Sequence, residues 1–303
     1  MLEIKKCYIC NGDMKKFLVG KDYWYETSNK EYTIVKCTKC GLEEINPMPS
    51  HEEQFNFYPQ NYYSYENKKT SKKSRGIVDS LMKVRDLISD FFVKKWFNIR
   101  DYAEWNGKFF LDVWCGEGIN IDIMQNKWWK SFWFEIGKLE KKWNIFYWSN
   151  ISEIDRWILK FDLIYMTHVF EHVDSPQETL GILKSLLKDN GQLIITVPNS
   201  SSLSAFLYRQ YAPERDIPRH LFTYNKKNLL ILMNKSWFVV ESYSSLRQFG
   251  LLTWFSRFIK DKLNFDLSTS KLRYLFFFFP LIELLLTILW YTNHLGFLLK
   301  KNK

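Results

Sequence analysis

Residues Leu111-Asp112-Val113-Trp114-Cys115-Gly116-Glu117-Gly118 decide how this chain of 303 residues is read. Phe109–Val113 is an apolar run of strand length, Gly116 and Gly118 lie in the turn after it, and Ile119–Asn126 has a helical pattern. A strand passing through a glycine-bearing turn into a helix aims backbone N–H groups at a ligand beyond the strand's carboxyl end. Glu135 closes the next strand-like run, 23 residues after Asp112. A carboxylate placed there accepts hydrogen bonds from ribose hydroxyls. Gly-x-Gly alone is a weak signal; the strand, turn, helix and second-strand acid together carry more.

The same alternation continues outward. Strand-like runs occupy Phe109–Val113, Ser131–Glu135, Asn144–Trp148, Phe161–Met166, Gln192–Val197 and Phe238–Tyr243, with helices fitting between them. The clearest helix is Ser175–Lys188, which opens on Ser175-Pro176-Gln177-Glu178, a capping box with proline at the first helical position, and closes on Asn190-Gly191. Alternating strands and helices of this length predict an α/β, Rossmann-like, mostly parallel seven-stranded sheet with helices on both faces. Upstream, Ile77, Leu81, Val84, Ile88, Phe91 and Phe92 recur at helical spacing. They predict an amphipathic helix within a connecting segment, 51–100, ahead of the main domain, 101–303.

Residues 1–50 form a separate unit with Cys7-x-x-Cys10 and Cys37-x-x-Cys40. Two such pairs suit a tetrahedral zinc ion, each turn bringing two thiolates to one side of it. Gly12 and Gly41 relieve the turns behind the pairs. With no position left open, the expected zinc ribbon is structural, holding a module too small to bury a core alone. The N-terminus has no apolar run of a secretory signal, so the cysteines read as metal ligands in a reducing, cytoplasmic setting. An apolar share of 46% with 25% charged residues excludes a disordered chain. A net charge of +10 permits attraction to nucleic acid or anionic lipid without choosing between them.

The apolar stretch 274–291 contains Pro280 and Glu283 and precedes Leu295–Lys300, which reads as a last strand. A strand that rejoins the sheet argues against a single membrane crossing. A buried lid over the site or a helix lying on a membrane surface is expected instead, within an insert of about 246–290.

Leu111–Gly118 resembles the first motif of class I S-adenosylmethionine-dependent methyltransferases, usually Leu-Asp-x-Gly-Cys-Gly-x-Gly. Phe161-Asp162-Leu163-Ile164 is similar to their fourth strand, Val169–Asp174 to the Glu-His-Val segment after it, and Leu187–Gly191 with Ile194–Asn199 to the fifth strand and its approach. Pro218-Arg219-His220-Leu221 and the Cys-x-x-Cys-Gly-Leu front module resemble elements of zinc-ribbon members of the group. The resemblance implies that Asp112, Trp114, Cys115, Gly116 and Gly118 shape the cofactor turn, that Glu135 holds the ribose, and that Met166 and Thr167 lie near the methionine portion. Glu171, His172 and His220 are the candidates on the substrate side, with His172 or His220 as a base. Some quinone O-methyltransferases of this fold hold a divalent ion through Glu-x-x-Glu-His; here the first position is His168.

Trp114 stands where that motif has glycine, Trp133 where Gly-x-Glu is usual, and Trp237 where Gly-Phe opens the sixth strand. Trp128, Trp143, Trp148 and Trp290 also fall where turn glycines are expected. Tryptophan (13) outnumbers glycine (12), and restoring seven glycines lifts their share to about 6%, near the usual ~7%. The pattern predicts UGA codons written as tryptophan where the source organism reads glycine. If the tryptophans are native, a poor or inactive methyltransferase-like binding protein is the expectation. Otherwise the expected activity is methyl transfer from S-adenosylmethionine to a small-molecule acceptor: a sugar, quinone or lipid-linked glycan. An RNA acceptor gripped by the ribbon is the alternative, disfavoured because no dense basic patch with interleaved aromatics marks the ribbon.

Overall fold

The computed structural model describes residues 6–59, 107–114, 118–135, 146–147, 160–246, 255, 258–260, 285 and 293–302. In chain order these form β1 (Met14–Gly20), β2 (Tyr32–Cys37), β3 (Glu43–Ile45), α1 (His51–Phe55), β4 (Phe109–Val113), α2 (Ile119–Gln125), β5 (Lys130–Glu135), β6 (Phe146–Tyr147) and β7 (Phe161–Thr167). There follow α3 (Pro176–Leu186), β8 (Leu187–Pro198), α4 (Leu203–Tyr208), β9 (Phe222–Thr223), α5 (Lys226–Lys235), β10 (Phe238–Leu246) and β11 (His294–Lys301). The expected helix at 77–92, the connecting segment from residue 60, and nearly all of the 246–290 insert with the 274–291 stretch lie outside the described residues. Among those described, no helix is long and apolar enough to cross a membrane.

Seven strands form one sheet in the order β10-β11-β8-β7-β4-β5-β6. Neighbours from β8 to β6 pair in parallel, and only β11 runs against the rest. Alternate side chains of a strand point to opposite faces, and the packing shows it. Phe110, Leu163 and Ile194 pack with Ile121 and Met124 of α2 on one face. Leu111, Ile164 and Ile195 share the other with Leu180, Leu183 and Leu186 of α3 and Leu229, Leu232 and Met233 of α5. The sheet is therefore covered by helices on both sides, as its near-continuous apolar strands require.

Local details depart from the sequence expectation. Ser175 precedes α3, but its ψ of 69° lies outside the extended conformation of a capping residue, and its side chain caps nothing. The helix ends at Leu186 rather than Lys188, and β8 begins at once, five residues earlier than the expected strand. Gly191 does not close a helix. It lies inside β8, where an added Cβ would stand 2.7 Å from the Phe161 carbonyl oxygen.

The cysteine module is a second sheet, β1-β2-β3-β9, antiparallel throughout. Its fourth strand comes from residues 222–223, far along the chain. Tyr8, Phe222 and Tyr224 join the two units, with Tyr8 and Phe222 rings edge to face at 5.3 Å.

Candidate active site and cysteine cluster

From β4 the chain steps outward to β5 and β6, then crosses back to place β7 on the other side of β4. At such a reversal, the loops leaving the carboxyl ends of the two central strands diverge and open a crevice. Asp112 and Trp114 lie at the end of β4, Thr167 ends β7, and Glu135 ends β5 one rung beyond the Val113–Phe134 pair. Asp112 is buried and accepts a hydrogen bond from Asn120 Nδ2 at 3.2 Å, which ties β4 to α2. Gly118 precedes α2 with φ of 75°, a left-handed conformation natural to glycine. Met166 faces into the core, buried beneath the crevice. Cys115 and Gly116 lie outside the described residues, as do Trp143, Trp148 and Trp290.

The segment after β7 supplies the titratable cluster. Glu171 is wholly buried, and neither carboxylate oxygen has a hydrogen-bond partner in ordinary geometry among the described residues. Three imidazoles surround it instead: His168 Nδ1 at 3.5 Å, His220 Nε2 at 3.8 Å and His172 Nε2 at 4.0 Å. Burial pushes the Glu171 carboxyl up, but these histidines outweigh it and hold the group at about 2. Burial drives His172 the other way, with His220 adding to the effect, to about 4.

Hydrogen bonds assign the tautomers. His172 Nδ1 lies 2.9 Å from the Arg219 carbonyl oxygen, and His220 Nδ1 lies 2.9 Å from that of Glu214. A carbonyl only accepts, so each Nδ1 carries the proton and each Nε2 presents a lone pair when the ring is neutral. His172 is sealed in the core and also meets the Tyr58 hydroxyl at 3.0 Å. His220 keeps some exposure, and His168 is more exposed still. The rings of Trp114, His172 and His220 follow one another at 5.7 and 4.8 Å, linking the β4 turn to the cluster.

The four cysteines of the front module converge. Cys7 and Cys40 sulfurs are 3.6 Å apart, Cys10 and Cys37 sulfurs 3.4 Å, and all four lie within 4.8 Å of one another. A tetrahedron with Zn–S of ≈ 2.3 Å sets its sulfurs about 3.8 Å apart, so the cluster fits that ion. Burial pushes the Cys7 thiol up to about 11. Burial also raises Cys37, but the N–H groups of Cys40 and Lys39 outweigh it and bring that thiol to about 7. Gly12 is required for space rather than conformation, since a Cβ there would meet Cys37 Sγ at 2.9 Å.

Two buried ion pairs fasten this module to the loop bearing His220, and no local pattern announced them. Arg219 donates to both oxygens of Asp22 (2.9 and 2.8 Å), to both of Asp216 (2.9 and 2.7 Å), and to the Phe57 carbonyl. Arg215 grips Glu43 with two bonds of 2.7 and 3.1 Å. Both arginines are almost wholly buried. The sequence shows Arg219 only as the neighbour of His220. Its partner Asp22 lies 197 residues away, and Tyr58 lies 114 residues from His172.

Residues 94–243 match the family model described as a methyltransferase domain. Among solved structures, a SAM-dependent methyltransferase from Archaeoglobus fulgidus is similar at 19% identity and a TM-score of 0.48, over 72% of this chain and 94% of that one. A 1,6-didemethyltoxoflavin-N1-methyltransferase from Burkholderia thailandensis, solved with S-adenosylhomocysteine, is similar at 12% identity and a TM-score of 0.45, over 92% of this chain and 99% of that one. A cyclopropane synthase from Mycobacterium tuberculosis is similar at 12% identity and a TM-score of 0.46, over 84% of this chain and all of that one. No curated protein matches the sequence.

Proposed function

Residues 94–243 make the chain a member of the class I S-adenosylmethionine-dependent methyltransferases, and from that premise we propose methyl transfer to a hydroxyl or amine of a small molecule, with His220 as the base. The observation that carries this reading is the tautomer of His220. Its Nδ1–H is spent on the Glu214 carbonyl, leaving Nε2 free to take a proton from an acceptor. S-adenosylmethionine supplies an electrophilic methyl on a sulfonium, which leaves as the neutral thioether. The acceptor's lone pair forms the new bond, and its proton passes to His220 Nε2.

Glu171 lies 3.8 Å from Nε2 and is ionised, so it stabilises the imidazolium that forms. His172 stays neutral at pH 7 and spaces the Trp114 turn from His220. Asp112, the turn after β4 and Glu135 would hold the donor at the strand reversal. A sugar, quinol or lipid-linked glycan offers a hydroxyl of the kind such a base would serve. We further assign a structural zinc to Cys7, Cys10, Cys37 and Cys40, where four converging thiols suit it and no ligand position is left open for chemistry.

The test is formation of S-adenosylhomocysteine from labelled S-adenosylmethionine, using the chain and its Trp114→Gly variant against sugar nucleotides, quinols, lipid-linked sugars and RNA. Turnover with a small acceptor, lost in His220→Ala, is the expected result. Turnover only with RNA, or full turnover in His220→Ala, refutes the proposal.

A further inference from the structure

Trp114, Trp128 and Trp237 have φ of 58°, 65° and 60°, in the left-handed region where a bulky L-residue is an outlier. Six tryptophans have a described backbone, and half of them are in this conformation. The described glycines there are also three: Gly41, Gly107 and Gly118.

The surroundings of each position explain why glycine belongs there. After α2, the Trp129 N–H bonds to the Met124 carbonyl and the Trp128 N–H to that of Gln125. This is the paired 6→1 and 5→2 pattern of a Schellman motif, with residue 128 at its left-handed position, usually glycine. After α5, the Trp237 N–H bonds to the Asn234 carbonyl, the same 5→2 bond one residue before β10. The side chains at 128 and 237 are exposed, and Lys184 lies over the ring of the latter at 5.5 Å. Trp129 is the contrast. It lacks positive φ, is buried, and packs its ring edge to face with Phe110. The fold uses Trp129 as a tryptophan and uses Trp128 as a glycine.

Position 114 follows the same rule inside the site. The chain leaves β4 there in a left-handed turn, and the indole lies 5.7 Å from the His172 ring. A donor held at the strand reversal must pass that point to reach an acceptor beside His220.

We infer that the natural protein carries glycine at 114, 128 and 237, from UGA codons its host decodes as glycine, and that Trp114 obstructs the methyl donor's site in the chain as written. At 128 and 237 the inference rests on helix geometry alone. At 114 it also rests on the methyltransferase reading.

Three measurements test it. The gene is expected to carry UGA at all three codons; UGG at any of them overturns the inference. Trp128→Gly and Trp237→Gly are each expected to raise the thermal midpoint by a few degrees, although each deletes a large side chain. No rise in either overturns the inference. In calorimetry, Trp114→Gly is expected to bind S-adenosylhomocysteine at least about tenfold more tightly than the chain as written. Equal binding by both proteins overturns the obstruction. Stabilisation at 128 and 237 with no binding by Trp114→Gly supports the glycine assignment while refuting the donor site, so the two readings fail separately.

Discussion

Replacing Arg219 by alanine tests whether the cysteine module and the loop bearing His220 depend on one buried charge. The guanidinium is inaccessible, and its side-chain N–H groups are engaged by Asp22, Asp216 and the Phe57 carbonyl. Breaking a buried ion pair by deleting one partner costs about 3–5 kcal/mol. Two features place this site at the lower end. Asp22 retains bonds from the Trp24, Tyr25 and Thr27 N–H groups and from the Thr27 hydroxyl. Asp216 keeps some exposure and can be hydrated. A loss of about 3 kcal/mol at pH 7 is therefore expected from urea unfolding.

The loss should also depend on pH. Burial pushes the Asp22 carboxyl up, but Arg219 and the local N–H donors outweigh it and hold the group well below the usual carboxylate range. A depressed folded value contributes stability that is complete above the unfolded pKa of ≈ 3.9 and is lost as pH falls toward the folded one. The gap between wild type and Arg219→Ala should thus be full at neutral pH and narrow below about pH 4. A difference under about 1 kcal/mol at pH 7, the value of an exposed pair, would refute the reasoning. So would a gap that widens in acid.

Further outcomes follow from the same geometry. Glu171→Gln removes the charge 3.8 Å from His220 and should lower kcat by about tenfold or more, because the cation formed on the ring loses its counter-charge; an unchanged kcat would show that Glu171 does not support the base. His172→Ala opens a void between Trp114 and His220 and should lower kcat with the fold retained, read by turnover and thermal melting; an unchanged kcat would show that the spacing does not matter. Cys40→Ser, or prolonged chelation, should release one zinc per chain and loosen the β1–β3 sheet, read by metal analysis and proteolysis; unchanged metal content contradicts the assignment. Gly191→Ala should destabilise by about 1–3 kcal/mol, since the new methyl meets the Phe161 carbonyl and the backbone must move; thermal melting decides it.

The cysteine spacing and the strand–turn–helix around Asp112 were legible in the sequence because they are local. Each depends on residues a few positions apart whose types have few other uses. The strand-like runs also emerged from burial on both faces, which leaves unbroken apolar segments. The fine limits of α3 and β8 were not legible, because Ser175 looks like a cap by type yet takes a backbone conformation that prevents capping. Tertiary structure alone decided which ring nitrogen of His172 and of His220 carries the proton, since that follows from carbonyls at 219 and 214 that no side-chain pattern encodes. It alone joined Asp22 to Arg219 and Glu43 to Arg215, pairs whose members are remote in sequence and meet only after folding. The tryptophans needed both levels. Their number and positions raised the question in the sequence, but only the backbone dihedrals separate Trp128 from its neighbour Trp129, because a left-handed φ is imposed by the turn the fold makes there and not by the residue that occupies it.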